Sequence, residues 1–208
     1  MKKYFAALST TVLITMVPYA LAASSTDLTV TGTITPQACM PNLSNGGVVD
    51  YGKISSKDLN LTSETSLDYH TLTLGVNCAS STLLALQLID NRNGSSSSSA
   101  SWTFGMGLIN GTQKLGYYSL FINTAVADGV PAQTISSKDN GATWNNYLML
   151  ASGDYLSVAA SNDWTKPIAV KDLNMHLNVL PRIARADSLD LTHEVAMDGS
   201  ATLEMKYL

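Results

Sequence analysis

Apolar and polar residues alternate at every second position through much of the chain. Leu28–Ile34 alternates in this way before Pro36, and Leu72–Val76 does so before Cys78. Because successive side chains of a strand point to opposite faces, each segment predicts a half-buried strand. Leu83–Ile89 is more continuously apolar, which is typical of a strand in a sandwich core.

Turn signals separate further strand candidates in the second half of the chain. Asp90–Gly94, Asn110-Gly111 and Asp139–Gly141 are rich in residues that favour turns. The five-serine tract Ser95–Ser99 predicts a flexible, solvated loop, and Asn123–Asn146 a polar, turn-rich segment. Short strands at this spacing, without an amphipathic helix, predict an all-β sandwich. The remaining candidates are strands at Trp102–Leu108, Leu115–Ile122, Tyr147–Leu150, Tyr155–Ala159, Ile168–Val170 and Leu173–Val179, and a short helical turn at Ala184–Leu189.

The C-terminal segment alternates until the chain ends. Apolar or small residues occupy every second position, and almost all the residues between them are polar. This pattern predicts one long strand with a single buried face. Chain termini ordinarily fray, so a sequence that ends inside a strand is unusual. The positions on the apolar face are Val195, Met197, Gly199, Ala201, Leu203, Met205 and Tyr207, and Leu208 is the last residue.

The N-terminus has the features of a secretory signal peptide. Lys2 and Lys3 precede an apolar stretch, Phe5–Val17, and Ala20-Leu21-Ala22 is a small-x-small cleavage signal. The apolar stretch is too short to span a membrane, although an uncleaved anchor helix is the alternative. We therefore predict that residues 1–22 are a signal peptide and that the mature chain is exported to the periplasm.

The net charge limits the kinds of partner, and the cysteine content predicts a disulfide. The formal net charge is −4, and removing two signal-peptide lysines leaves −4 − 2 = −6. An acidic surface argues against nucleic acid and anionic membranes as partners. In an oxidising compartment, the two cysteines of the chain, Cys39 and Cys78, are expected to form a disulfide.

The sequence contains no clear catalytic or cofactor motif. The three histidines are far apart, and no serine lies in a Gly-x-Ser-x-Gly elbow. No phosphate-binding loop or metal-ligand cluster appears either. His193-Glu194 with Asp187 and Asp190 is a weak candidate cation site, for which a solvated loop is the simpler interpretation. We predict no enzyme activity, no cofactor and no metal, although a triad assembled in space stays an alternative.

Two groups of large side chains have competing interpretations. Met175, Met197 and Met205 occupy alternating strand positions and are predicted to be core residues. The three tryptophans are candidates for stacking on a sugar, with ordinary packing as the alternative. They are Trp102, Trp144 and Trp164.

Four features occur in the order found in pilins assembled by the chaperone–usher route. These are the alternating strand Leu28–Ile34, Cys39 shortly after it, Cys78 at the end of a long strand, and Tyr207 as the penultimate residue. The chain therefore resembles that family. It resembles more specifically the enterobacterial fimbrial-like exported proteins typified by GltF. That second resemblance is carried by Leu28–Cys39, Gly46–Lys53, Asp90-Asn91-Arg92 and the ending Tyr207-Leu208.

The pilin resemblance implies an immunoglobulin-like β-sandwich with one disulfide, Cys39–Cys78, that lacks its final strand. In pilins, a chaperone strand fills the resulting groove, and the N-terminal strand of the next subunit then replaces it. Residues 23–35 would be the donor extension and residues 36–208 the domain. The acceptor edge would run from Val195 to Tyr207, with the Leu208 carboxylate bound by a basic chaperone residue. The donor side chains would be Leu28, Val30, Gly32 and Ile34.

The same resemblance implies a structural subunit of a fimbrium, with a role in cell adhesion. Its partners would be a periplasmic chaperone, an outer-membrane usher and other subunits, and any host or surface glycan is unspecified. The alternative is a self-complemented monomer that serves as a periplasmic binding or accessory protein. Pilins carry a glycine early in the last strand, where this chain has Val195, and its own glycine follows at Gly199.

Overall fold

The computed structural model describes residues 26–32, 39–147 and 149–208. The chain divides into two units, Met1–Ile34 and Thr35–Leu208. Residues 26–32 of the first unit have no regular secondary structure, and their two large apolar side chains, Leu28 and Val30, are exposed. The predicted donor residue Ile34 lies outside the described residues.

The first half of the second unit consists of short strands and two 3-10 turns. The turns are Ser44–Gly47 and Ser56–Asp58. The strands are β1 (Met40–Leu43), β2 (Thr65–Ser66), β3 (His70–Thr82), β4 (Leu84–Asp90), β5 (Phe104–Gly105), β6 (Leu108–Ile109) and β7 (Gln113–Lys114).

The second half adds the longest strands and a third 3-10 turn at Ala186–Ser188, inside the predicted helical turn. The described part of the chain contains no α-helix. Its helical elements are the three 3-10 turns, and none of them is long and apolar enough to cross a membrane. The remaining strands are β8 (Gly116–Ala127), β9 (Val130–Ser137), β10 (Met149–Leu150), β11 (Tyr155–Ala159), β12 (Val170–Ile183) and β13 (Ala201–Tyr207).

The strands form the two layers of a sandwich, as the alternation predicted. One layer has the order β1-β3-β12-β8 and the other β9-β11-β4-β13, with every pairing antiparallel. The layers are joined where β8 turns into β9 at Asp128-Gly129. Both turn residues have positive φ, 49° and 79°, which is the conformation that an Asp-Gly hairpin turn favours. β1 and β13 are therefore the two free ends of the strand order.

The core lies between the inner faces of the two layers. Met175 is buried there, as predicted, and Met197 and Met205 pack against the core from its margin. Large core side chains alternate along their strands, so each long strand presents one face inward. The least exposed of them include Leu74, Leu84, Leu86, Leu88, Phe104, Leu150, Leu156 and Leu173.

Cys39 and Cys78 form the predicted disulfide, and both are buried. The bond ties the residue before β1 to β3 and closes a loop with a sequence separation of 39 residues. On the chain-entropy model, a loop of this size stabilises the folded state by about 4 kcal/mol. The disulfide therefore holds the short edge strand β1, which pairs with β3 over only four residues.

Several predicted strand boundaries are wrong. The Asn123–Asn146 segment is not merely a turn-rich loop, because β8 extends to Ala127 and β9 occupies Val130–Ser137. Sheet pairing and burial of Ser136 and Ser137 outweigh the polar composition of β9. The predicted Trp102–Leu108 strand is broken into two short pieces, because Gly107 has a φ of 81° that no strand residue adopts.

The serine tract is also more ordered than predicted. Ser95 is only 7% exposed, and its hydroxyl donates to the Arg92 carbonyl oxygen at 2.6 Å. The same hydroxyl accepts from the Gly107 N–H at 3.0 Å. Serine hydroxyls bond readily to nearby backbone groups, so the tract begins as a hydrogen-bonded turn and not as a wholly solvated loop.

Candidate functional site

A hydrogen bond links the two free edges of the sandwich at one end. The Cys39 N–H, next to β1, donates to the hydroxyl oxygen of Tyr207, at the end of β13, at 2.9 Å. β1 runs away from this contact along β3, while β13 runs towards it along β4, so the two edges are antiparallel. Beyond this contact no ladder hydrogen bond joins β1 to β13 in the described part of the chain.

An open apolar groove of about 730 Å³ lies between these edges. Its floor consists of inner-face side chains from β3, β8 and β12, and its walls come from the two margins of the sandwich. A cavity of this size and lining is typical of a binding site. The apolar residues that line the floor and the walls include Leu43, Leu72, Met106, Leu115, Leu120, Leu177, Val179, Ile183, Met197 and Leu203.

One rim of the groove is the segment Val49–Ile54, which follows β1. Tyr51 anchors this rim, because its ring packs edge-on against His70 at 4.7 Å and its hydroxyl donates to the Asp68 carbonyl at 3.1 Å. Burial, with the nearby Asp68 carboxylate as the second cause, raises the pKa of Tyr51 to about 12. The phenol therefore stays protonated and keeps its donor role at neutral pH.

The opposite rim is the segment Leu191–Ser200, which leads into β13. The predicted strand from Val195 to Tyr207 is thus correct only for Ala201–Tyr207. The prediction that one face of this strand is buried along its whole length is wrong as well, because no residue on that face is fully buried. Half-buried are Val195, Met197, Leu203 and Met205, and exposed are Gly199, Ala201 and Tyr207. The physical reason is that β13 pairs with β4 on one side and borders the open groove on the other.

Gly199 is required where this rim passes the core. A Cβ on Gly199 would lie 2.9 Å from the Cε1 atom of Tyr118, closer than real contacts allow. Tyr118 is buried and stacks on Phe104 at 5.3 Å, so its ring is not free to move. The close approach of the Tyr118 ring is therefore the local reason for a glycine at position 199.

Arg92 and Asp198 hold the rim beside Gly199. The Arg92 Nε and Nη2 atoms donate to the two carboxylate oxygens of Asp198 at 2.9 and 2.8 Å. This hydrogen-bonded arginine holds the pKa of Asp198 below its usual range. The Asp198 N–H also donates to the Met106 carbonyl at 3.1 Å.

The buried Asp90 organises the turn that carries Arg92. Its carboxylate accepts from the Arg92 N–H at 2.8 Å and from the Gly105 N–H at 2.9 Å. The Asp90-Asn91-Arg92 cluster was predicted only as a turn. Its role at the rim depends on Asp198, more than a hundred residues later, which local turn signals do not reveal.

An ion pair joins the two rims across the mouth of the groove. The Lys53 Nζ atom donates to Glu194 Oε1 at 2.6 Å, and the two side chains are 88% and 78% exposed. No signal within either segment predicted this pair, because its members are 141 residues apart in sequence.

The predicted donor residues Leu28 and Val30 are 88% and 87% exposed. Gly32 has no neighbouring atom within 4 Å of where its Cβ would lie. The apolar side chains of residues 26–32 are therefore unburied.

The candidate cation site is not assembled. Glu194 pairs with Lys53, Asp187 pairs with Arg185, and the Asp190 carboxylate accepts from Thr192. In the described ranges, no three His, Cys, Asp or Glu side chains are grouped closely enough to hold a metal ion.

The tryptophans do not form a common surface feature. Trp144 is buried with Ile135 in a small second core, and its Nε1–H donates to the Gly141 carbonyl at 3.0 Å. Ordinary packing is therefore the correct interpretation of Trp144. Trp102 packs edge-on against Tyr117, and Trp164 is 52% exposed.

Comparison with known proteins gives relatives of undefined role. The family described as "Protein of unknown function (DUF1120)" matches residues 28–115. The protein GltF of Escherichia coli strain K12 is 27% identical over 233 aligned positions, which cover 91% of this chain and 91% of GltF. The uncharacterized protein YhcF of the same strain is 24% identical over 225 positions, covering 91% and 93%. The chain is thus a distant relative of GltF and YhcF.

Proposed function

We propose that this protein is a structural subunit of a fimbrium that is assembled by strand donation and acceptance. The observation that carries the proposal is the open apolar groove beside the half-paired C-terminal edge. The groove would receive an extended strand, Ser25–Thr35, from a second copy of the chain or from a similar subunit.

A strand suits this groove better than a compact ligand because the rim offers backbone groups. No backbone group from His193 to Met197 is hydrogen-bonded within the residues that the structure describes. An added strand gains affinity from main-chain hydrogen bonds and specificity from alternate side chains that enter pockets. An unpaired edge beside apolar surface is otherwise an aggregation hazard, which a bound strand would remove.

The N-terminal segment has the properties of the occupant. Leu28 and Val30 are exposed, and Ile34 continues their alternation. Leu28–Ile34 has seven residues, and so does β13. A strand of that length spans roughly 23 Å and presents its apolar side chains on one face.

The wider role follows from this mechanism. A periplasmic chaperone would cover the groove before assembly, and an outer-membrane usher would present the next subunit. The protein would be exported, would pass through the periplasm and would function at the cell surface in adhesion, without catalysis or a cofactor. A self-complemented monomer is the second candidate, because donor and groove belong to one chain.

The test is periplasmic expression without a chaperone of chains that begin at Ala23 and at Pro36. Yield, size and thermal melting are compared for both. We expect the longer chain to aggregate, to be degraded or to form a ladder of oligomers, and a chaperone or an added Ser25–Thr35 peptide to rescue it. A stable monomer that unfolds only when shortened to Pro36 would instead establish the self-complemented alternative.

A further inference from the structure

The rim segment Leu191–Ser200 is held at Glu194 and at Asp198 by contacts of very different strength. Before it, the Asp190 N–H donates to Gln113 Oε1 at 3.1 Å and the Asp190 carbonyl accepts from Asn110 Nδ2 at 2.8 Å. At the Asp198 end, Arg92 makes three hydrogen bonds, two to the carboxylate and one to the carbonyl oxygen at 3.2 Å. The Asp198 N–H and the Ser200 carbonyl add backbone bonds to Met106 and Asn91. The Ser200 hydroxyl also accepts from Asn91 Nδ2 at 3.0 Å, so six hydrogen bonds of the described residues hold this end of the rim.

At the mouth of the groove, one polar contact of the described residues holds the same rim, whose Leu191, Val195 and Met197 side chains also pack against the margin of the core. Glu194 meets Lys53 through a single ion pair between two long, highly exposed side chains. Exposed pairs of this kind contribute little stability, because water and salt screen them and ordering the side chains costs entropy. The intervening backbone from His193 to Met197 has no hydrogen bond of its own in the described part of the chain.

Resting on the proposed function, we infer that Leu191–Met197 is a strap across the groove mouth, anchored at Asp190 and Asp198 and latched between them by Lys53–Glu194. The incoming Ser25–Thr35 strand of a second copy enters when the latch opens. Opening breaks one screened ion pair, lifts Leu191 and Val195 from the margin of the core and leaves the Arg92–Asp198 contacts intact. The rate of strand entry then depends on the charges at residues 53 and 194, although neither residue contributes an apolar contact to the strand.

The experiment uses the full mature chain with its own donor disabled by Leu28→Asp, Val30→Asp and Ile34→Asp, so that the groove is not filled from within. A fluorescently labelled Ser25–Thr35 peptide is mixed with it, and association is followed by stopped flow at low and high salt. The latch is opened by Glu194→Gln. Asp187→Asn is the matched control, because Asp187 pairs with Arg185 at 2.9 Å and neither residue lines the groove.

We expect Glu194→Gln to speed association by roughly two- to fivefold, the range that an exposed ion pair allows. Added salt speeds entry into the parent chain and leaves the Glu194→Gln chain unchanged, and Asp187→Asn behaves as the parent. The exchange Lys53→Glu with Glu194→Lys restores the slow rate. Equal rates in all four chains, with peptide bound, would overturn the latch and leave strand acceptance standing. If no chain bound the peptide, the proposed function itself would fail.

Discussion

The hydroxyl oxygen of Tyr207 accepts a hydrogen bond from the backbone N–H of Cys39 at 2.9 Å. This contact joins the last strand of the chain to the residue before the first strand, across a sequence separation of 168. The disulfide fixes Cys39 to β3, so Tyr207 docks the C-terminal edge onto a covalently fixed point. The contact links the two edges at one end, and the Lys53–Glu194 pair spans the mouth of the groove.

The first prediction concerns this contact. Tyr207→Phe removes the acceptor and leaves the Cys39 N–H without its partner, so we expect a loss of about 0.5–1.5 kcal/mol in the free energy of unfolding. Chemical denaturation of the mature chain measures it. Tyr147→Phe is the control, because Tyr147 is exposed and its ring would still lie under Lys138. Equal stability of the two variants would contradict the prediction.

The second prediction concerns the disulfide. Replacing both cysteines, Cys39→Ala with Cys78→Ala, should lower the free energy of unfolding by about 4 kcal/mol, because the unfolded chain regains the entropy of an open loop. Denaturant titration of the oxidised parent and the double variant gives the difference. A loss below about 1 kcal/mol would mean that the bond does not constrain the unfolded state as argued.

The third prediction compares two glycines. Gly199→Ala places a Cβ 2.9 Å from the Tyr118 ring, and such overpacking costs about 1–3 kcal/mol. A Cβ on Gly32 would meet nothing within 4 Å, so the free energy of unfolding of Gly32→Ala should stay within about 0.5 kcal/mol of the parent value. Thermal melts of both variants decide the matter. A destabilised Gly32→Ala with a normal Gly199→Ala would contradict it.

The fourth prediction is a pH dependence. Arg92 lowers the pKa of Asp198 in the folded state below the unfolded value of about 3.9. The Arg92–Asp198 contact therefore stabilises the folded state above a pH of about 4. This stabilisation is lost as the pH falls through the pKa that Asp198 has in the folded state. NMR titration of the carboxyl carbon should show this pKa rising in Arg92→Gln. The pKa of Asp163, which is lowered chiefly by its hydrogen bonds to Thr165, should not change in that variant.

The fifth prediction separates the tryptophans. Trp144→Ala removes a buried side chain from the second core and should cost about 3–5 kcal/mol. Trp164→Ala changes an exposed side chain and should alter the free energy of unfolding by no more than about 0.5 kcal/mol. Similar effects of the two substitutions in denaturation curves would show that the second core does not contribute to stability.

Much of the fold was predictable because strand alternation is a local signal. The period of two located β3 and the later part of the C-terminal strand, and a continuous apolar run located β4. Two cysteines in a chain with an export signal predicted the disulfide. β9 was missed because its stability comes from pairing with β11 and not from its composition. The serine tract was misjudged because the bonds of Ser95 to Arg92 and Gly107 are a matter of folded geometry.

The candidate site was predictable only in part. The C-terminal edge was recognised from the alternation that ends at Tyr207, but the pattern cannot tell a paired strand from an extended rim such as Val195–Ser200. The opposite rim, Val49–Ile54, carries no periodic signal. Arg92–Asp198 and Lys53–Glu194 join residues more than a hundred positions apart, and no local pattern specifies such pairs.

The most direct test of strand acceptance is a titration of the donor-disabled mature chain with three forms of the Ser25–Thr35 peptide. The parent peptide should bind and raise the melting temperature. The Val30→Asp peptide should not bind, because its carboxylate would enter the apolar groove, whereas Thr31→Asp, on the outward face, should bind as the parent does. Failure of the parent peptide to bind, or equal binding of all three peptides, would contradict the account.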